Sequence, residues 1–326
     1  MPTPLEGRLF TDDVQLWLER WWASAMVALV ATLAMGVGSL AADEDEVKKT
    51  WDAAEVAVYV GKTLSVFGRM DDPKVQAGLA ALPQGQPFPT IIYLHGCDGL
   101  YRNNYFVFRD LPKEGYAVIA PDSFARTGRM ATCGSPTGSR GTRPLRKEEI
   151  QYAARQARNL PWVDSKNLFL FGQSEGGGAA IRYSGDEFNA RVASGAGCWR
   201  VRRSTPLLVV NFRNDAYMGS EDNCTGNVDR VFRVSGKGHW PWRRMDAQSV
   251  LLDFLAQHSS KDDYGENSKV LVGPQVVARS KDEISLRRTN SDSDVYDTAK
   301  AHCETFGKAS NLINRDGFGV YYFSCD

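Results

Sequence analysis

The stretch Asn167–Ile181, NLFLFGQSEGGGAAI, orders the reading of the whole chain. It begins with an unbroken apolar run, Leu168 to Phe171, and ends in alanines. An apolar run without alternation fits a strand covered on both faces, as in a parallel sheet. The alanines that follow Gly178 fit a helix. Between the two lies Gly172-Gln173-Ser174-Glu175-Gly176, which reads G-x-S-x-G. Such a segment is either a tight packing turn or a device that holds a serine where a substrate can reach it. Flanking glycines let the backbone turn without a Cβ clash, and a serine on a strand-to-helix elbow points out of the sheet.

The neighbouring sequence repeats the strand, loop, helix pattern from about residue 90 to 260. Strand candidates are TIIYLHG (90–96), YAVIAPD (116–122), NLFLFG (167–172), ARVASGAG (190–197), PLLVVNF (206–212) and RVFRVSG (230–236). Each is a short apolar run closed by turn residues. Helical patterns are RKEEIQYAARQARNL (146–160), EGGGAAIRYS (175–184) and DAQSVLLDFLAQHS (246–259). Alternating β and α elements predict an α/β fold built on a doubly wound, mainly parallel sheet. Residues 86–260 are expected to form that domain. The preceding 42–85 read as a lead-in, in which VAVYVGKTLSVF (56–67) fits strand or helix equally. Residues 261–326 read as a polar linker and a small α+β appendage, with a strand at KVLVG, a helix over DVYDTAKAHCETFGKA and a closing strand at GVYYFSC.

Ligands of α/β sheets bind beyond the carboxyl ends of the strands. The residues that end these strands include His95, Gly96 and Cys97, then Asp122, Ser174, the loop Cys198–Arg203, Asp215 and His239. A serine, an acid and a histidine thus fall on one rim in the order that this architecture uses. A serine hydroxyl needs a base to take its proton, and the base needs an acid to fix its tautomer. His239, in GKGHWPW, is the candidate base and Asp215, in VVNFRNDAYMG, the candidate orienter. His258, in a helix pattern, and His302, in the appendage, are weaker rivals, and His95 reads as structural. A developing oxyanion needs fixed donors, each worth about 2.7–4 kcal/mol. The backbone N–H groups of Glu175 and Cys97 are the candidates.

The segments YLHGCDGL, GYAVIAPDSFARTG, LFGQSEGG and GKGHWPW together resemble the dienelactone hydrolase family of α/β-hydrolases, in its exported branch. The likeness covers roughly residues 85 to 260. It implies hydrolysis of an ester or related acyl bond through an acyl-enzyme. Dienelactone hydrolase itself uses a cysteine nucleophile. Serine at position 174 favours a general esterase, or a peptidase of the same fold, over a lactone hydrolase. A non-catalytic envelope binding or scaffold protein on an inherited fold is the alternative from another class.

Arginines cluster on two rim loops. GCWRVRRS carries Arg200, Arg202 and Arg203, and HWPWRRM carries Arg243 and Arg244, with Trp199, Trp240 and Trp242 nearby in the same two loops. Guanidinium groups bind carboxylate or phosphate bidentately. Arg200, Arg202, Arg203, Trp240 and Arg243 are therefore candidate contacts for a substrate with an anionic group. The competing reading is a solvated charge run.

Lys+Arg and Asp+Glu are 39 each, which gives no basic excess for nucleic acid. A composition of 43% hydrophobic and 24% charged residues is ordinary for a globular chain with an ample core. No residue between Trp21 and Ala42 is charged, and the run closes on GSLAAD. Ser39 and Ala41 stand where a signal-peptide cleavage site needs small residues, so residues 1–41 predict a cleaved signal or a retained anchor. Acids in the leading segment, such as Asp12 and Glu19, leave Met26 as an alternative start. Either reading sends the rest of the chain out of the cytoplasm, periplasmic or secreted, with a membrane in contact only if the segment is retained. The six cysteines agree, since an even number in an exported chain suggests disulfides. Six cysteines allow fifteen pairings, of which sequence neighbours suggest Cys97–Cys133, Cys198–Cys224 and Cys303–Cys325, with free buried thiols as the competing reading. No C-x-x-C spacing occurs among the cysteines, which argues against a zinc site. The expected chemistry needs no metal or organic cofactor, and its partner is a small acyl substrate.

Overall fold

A computed structural model describes residues 44–260, apart from 62, 102–103, 105, 136–139, 203, 216, 219–223 and 225–227, and beyond them 275–279, 283–287, 299–300, 303–304, 308–315 and 320–326. The expected targeting segment, 1–41, lies outside the described residues, as do the linker 261–274 and Arg203. The chain divides into two compact units, residues 1–48 and 49–326. Of the first, residues 44–48 are described and helical. Among the described residues, no helix is long and apolar enough to cross a membrane.

Eight strands form one sheet. They are β1 (Glu55–Val60), β2 (Thr63–Arg69), β3 (Phe88–Leu94), β4 (Ala117–Ala120), β5 (Val163–Gln173), β6 (Ala190–Ser194), β7 (Leu207–Asp215) and β8 (Arg230–Gly238). Their order is β2-β1-β4-β3-β5-β6-β7-β8. From β4 to β8 all pairs are parallel, while β1 runs antiparallel to both β2 and β4. The sheet thus begins inside the stretch that the sequence reading set apart as a lead-in. The periodicity of 56–67 was ambiguous because β1 is an interior strand: Val56, Ala57 and Val58 are all fully buried, on both faces. A positive φ at Gly61 closes the hairpin to β2.

The longer helices described beside these strands are α1 (Pro73–Ala80), α2 (Arg143–Arg158), α3 (Glu175–Arg182) and α4 (Met245–Gln257). Asp72 caps α1 by accepting from the Lys74 N–H at 2.8 Å. One face of the sheet presents Ile91, Tyr93, Phe169, Phe171, Val192 and Val210 to Val250, Leu251, Phe254 and Leu255 of α4. The alternate residues, among them Ile92, Leu94, Leu168 and Leu170, are also fully buried. Burial on both faces is what the unbroken apolar runs encode.

Residues 275–279, 283–287, 310–315 and 320–325 form β9 to β12, a second, antiparallel sheet with the order β11-β12-β10-β9. β12 is the expected closing strand. The expected strand KVLVG lies outside the described residues, and the expected helix is described only at 299–300 and 303–304, which are helical. The sequence reading missed β9, β10 and β11. At five or six residues, with polar side chains interspersed, they are too short for a period to register.

Candidate active site

Ser174 stands between the end of β5 and the start of α3 with φ 56° and ψ −113°. Among the described residues other than glycine, only Ser174 and Arg200 have positive φ. Such a backbone costs on the order of 1–3 kcal/mol and persists only where the surroundings impose it. Here they do. The Ser174 N–H donates to the Ser194 carbonyl at 2.7 Å, and the Gly178 N–H donates to the Ser174 carbonyl at 2.8 Å. The two motif glycines permit backbone to meet backbone. A Cβ on Gly172 would lie 2.1 Å from the Gly176 carbonyl oxygen, and one on Gly176 would lie 2.2 Å from that of Leu94.

Asp215 ends β7, and His239 follows β8, the next strand along the sheet. His239 Nδ1 lies 2.8 Å from Asp215 Oδ2 and 3.0 Å from Oδ1. An ionised carboxylate only accepts, so Nδ1 carries the hydrogen and a neutral ring keeps Nε2 free to accept. Asp215 Oδ1 also accepts from the N–H groups of Tyr217 at 2.8 Å and Met218 at 3.1 Å. Burial pushes the Asp215 carboxyl up, but the His239 hydrogen bond and the two amides outweigh it and hold the group below the usual carboxylate value. The exposed Tyr217 ring packs edge-on against the imidazole, 4.5 Å between centroids.

The structure brings Asp215 and His239 into direct contact. Ser174 Oγ makes no hydrogen bond to His239 or to any other described residue. The histidine loop is nevertheless tied to the residue before the serine, because Gln173 Nε2 donates to the His239 carbonyl at 2.9 Å. Gly96, on the loop after β3, passes close to the serine: a Cβ there would sit 3.5 Å from Ser174 Cβ. Cys97 follows it and is held twice, by the Cys97–Cys133 disulfide and by the Thr132 N–H donating to its carbonyl at 3.0 Å. The Glu175 amide opens α3, where a helix offers its N–H no intrahelical acceptor.

Sequence reasoning did not find what lies behind this loop. Glu175 turns its side chain inward, where Oε1 accepts from Arg129 Nη2 at 2.5 Å and Arg146 Nε at 2.9 Å, and Oε2 accepts from Thr132. Arg146 also donates to Glu149 at 3.2 Å and to the His95 carbonyl at 2.8 Å. Glu149 accepts from Ser123 Oγ at 2.7 Å. His95 is 1% exposed, and its Nε2 accepts from the Ser123 N–H at 3.0 Å. Nδ1 therefore carries the proton and donates to the Gly96 carbonyl at 2.7 Å. Burial, followed by the Arg146 charge, holds His95 well below the ordinary histidine value, so it is neutral. Arg129, Arg146, Glu149 and Glu175 come from four separate stretches of chain. No local pattern announces their meeting.

The described arginine and tryptophan candidates have different surroundings. The Arg202 N–H donates to the Ile181 carbonyl at 3.2 Å, and buried Arg191 holds the Arg202 carbonyl at 2.8 Å. That anchors Arg202 seven residues along α3 from Ser174, roughly 10 Å at 1.5 Å per residue. Arg200 is exposed. Trp240 meets Tyr101 edge-on, at 6.3 Å between centroids. Trp242 is a core residue, 3% exposed and stacked on Phe106, with Nε1 donating to Gln173 Oε1 at 3.1 Å. Arg244 lies 3.4 Å from Asp246. The side chain of Arg243 lies outside the described residues.

All three expected disulfides are formed: Cys97–Cys133, Cys198–Cys224 and Cys303–Cys325. Cys97, Asp98 and Cys133 lie close together, but both sulfurs are joined to each other and offer no thiolate to a metal.

No family model and no curated protein sequence matches the chain. It is similar to several solved structures. One is a dienelactone hydrolase-like promiscuous phosphotriesterase, P91, from metagenomic libraries, with 17% identity and a TM-score of 0.44 over 54% of this chain and 89% of that one. Another is esterase PE8, with 18% identity and a TM-score of 0.39 over 54% of this chain and 96% of that one. A third is the acylaminoacyl peptidase of Pyrococcus horikoshii, with 15% identity and a TM-score of 0.41 over 58% of this chain and 40% of that one.

Proposed function

We propose that this protein is a serine hydrolase that cleaves an ester or related acyl bond. Ser174 Oγ attacks the acyl carbon while His239 Nε2 takes its proton, and Asp215 holds the imidazole in the tautomer that leaves Nε2 free. The amides of Glu175 and Cys97 receive the oxyanion. His239 then returns the proton to the leaving group, and the same base activates the water that releases the acid. The observation that carries this reading is the strained backbone of Ser174 at the end of β5, on the same rim as the His239–Asp215 hydrogen bond. Hydrogen bonds from base to nucleophile are often long without substrate and tighten when it binds.

A finer reading adds an anionic group on the acyl part, for which Arg243 on the histidine loop is a candidate contact from the sequence. It is tested by comparing neutral esters with carboxylated analogues in the wild type and in Arg243→Ala. The three disulfides support a place outside the reducing cytoplasm, periplasmic or secreted.

A fluorophosphonate probe tests the central claim. Labelling of the wild type that disappears in Ser174→Ala is the expected result. Folded protein that takes up no label would overturn it and favour the scaffold alternative. Hydrolysis of an ester and peptide library then separates esterase from peptidase.

A further inference from the structure

A cavity of about 370 Å³ is lined by residues of α2 and α3, and its lining does not include Ser174, Asp215 or His239. Its polar lining includes Thr142, Arg143, Arg146, Lys147, Glu175 and Arg182, and Ile150 and Ala179 add an apolar part. The volume is near the lower end for small-molecule sites, roughly 300–1,000 Å³. Arg146 is committed to Glu175, Glu149 and His95. Arg143, Lys147 and Arg182 make no hydrogen bond or ion pair with any described residue.

Arg182 is the informative member. It is half-buried, and its guanidinium folds back along α3 over Gly178, where an added Cβ would lie 3.0 Å from Nη2. Room for this guanidinium gives Gly178, the third glycine after Ser174, a role that the elbow itself does not need. Burial, then the like charge of Arg143, lowers Arg182 to about 10; Glu175 opposes this and Arg200 adds to it. A solvated charge run would spread its cations apart and keep them wet. This arrangement instead gathers cations around a concave, partly apolar space, with donors that no described residue fills.

We propose that the α2–α3 cavity is an anion-binding site, distinct from Ser174, for a small organic molecule bearing a phosphate or more than one carboxylate. Arg182 supplies the planar fork that grips such an oxyanion, and Arg143 and Lys147 supply the neutralising charge at the mouth. The proposal stands whether or not Ser174 is acylated.

Titration calorimetry on the disulfide-intact protein tests it, with inorganic phosphate and citrate as probes and sodium chloride at matched ionic strength as the control. Saturable binding of one or both probes is expected, weakened at least tenfold in Arg182→Gln and also in the exposed pair Arg143→Gln/Lys147→Gln, whose folding is not at stake. Preference for phosphate or for citrate identifies the oxyanion. Fluorophosphonate labelling of the variants should match the wild type. Heats of both probes equal to chloride, or unchanged binding in the Arg143→Gln/Lys147→Gln protein, would overturn the proposal.

Discussion

Gln173 and His239 are joined side chain to backbone, Nε2 to carbonyl oxygen, at 2.9 Å. The same glutamine uses its Oε1 to accept from Ser194 Oγ at 2.7 Å and Trp242 Nε1 at 3.1 Å. It is fully buried. One amide thus locks the strand that ends at Ser174 to the loop that carries His239. Replacing Gln173 by Leu should strand buried donors and cost about 1–3 kcal/mol each in stability. It should also slow fluorophosphonate labelling of Ser174 in protein that remains folded. Denaturant melts together with labelling rates read both effects, and a labelling rate equal to wild type would refute the coupling.

The Asp215 carboxyl is held below its ordinary value, so the unfolded chain binds its proton more readily than the folded one. Its contribution to stability is therefore present above about pH 4 and is lost as pH falls through the depressed native value. In Asp215→Asn that acid-dependent component should be missing, so the stability gap between the two proteins should narrow in acid. Labelling of Ser174 near neutrality should fall by about 10⁴ if the carboxylate orients the base. A loss of less than tenfold would count against the assignment.

His95 has the opposite charge type and a related sign. Its folded value lies well below 6.5, so between that value and about pH 6.5 the unfolded chain holds the extra proton. Stability should decline as pH drops below about 6.5, by up to about 1.4 kcal/mol per pH unit for this single group. A His95→Asn protein should have a flatter stability profile across that range. Chemical denaturation at a series of pH values gives the slope directly.

The glycines after Ser174 are predicted to differ. Ala at 176 puts a Cβ against the Leu94 carbonyl, which is rigid strand backbone, so Gly176→Ala should lose more than about 3 kcal/mol or fail to fold. Ala at 178 meets only the flexible end of Arg182, and the helix gains up to about 1 kcal/mol of propensity. Gly178→Ala should therefore keep its Tm within a few degrees while displacing the Arg182 guanidinium, and anion binding should weaken.

Opening the Cys97–Cys133 bond, which closes a sequence separation of 36 residues, should remove about 2–4 kcal/mol. In Cys97→Ser/Cys133→Ser the loop that passes Ser174 loses one of its two anchors. Labelling should slow more than in a variant lacking Cys303–Cys325, which is the comparison that isolates the site effect.

The local pattern of this chain determined the parallel strands from β3 to β8 and the strand-to-helix elbow at Ser174, and it suggested Ser174, Asp215 and His239 as rim candidates and the three cysteine pairs between sequence neighbours. Each of these depends on residues near one another in sequence or on the rule that strand ends share a rim. Only the tertiary structure decided that β1 joins the sheet, since an interior strand takes its identity from partners such as β4, more than fifty residues away. Only it decided that Arg202 moors at Ile181 and that Trp242 belongs to the core. It alone assembled Arg129, Arg146, Glu149 and Glu175 behind the elbow. A charged side chain looks the same in sequence whether it faces water or another charge, and its surroundings are set by distant segments that the fold brings against it.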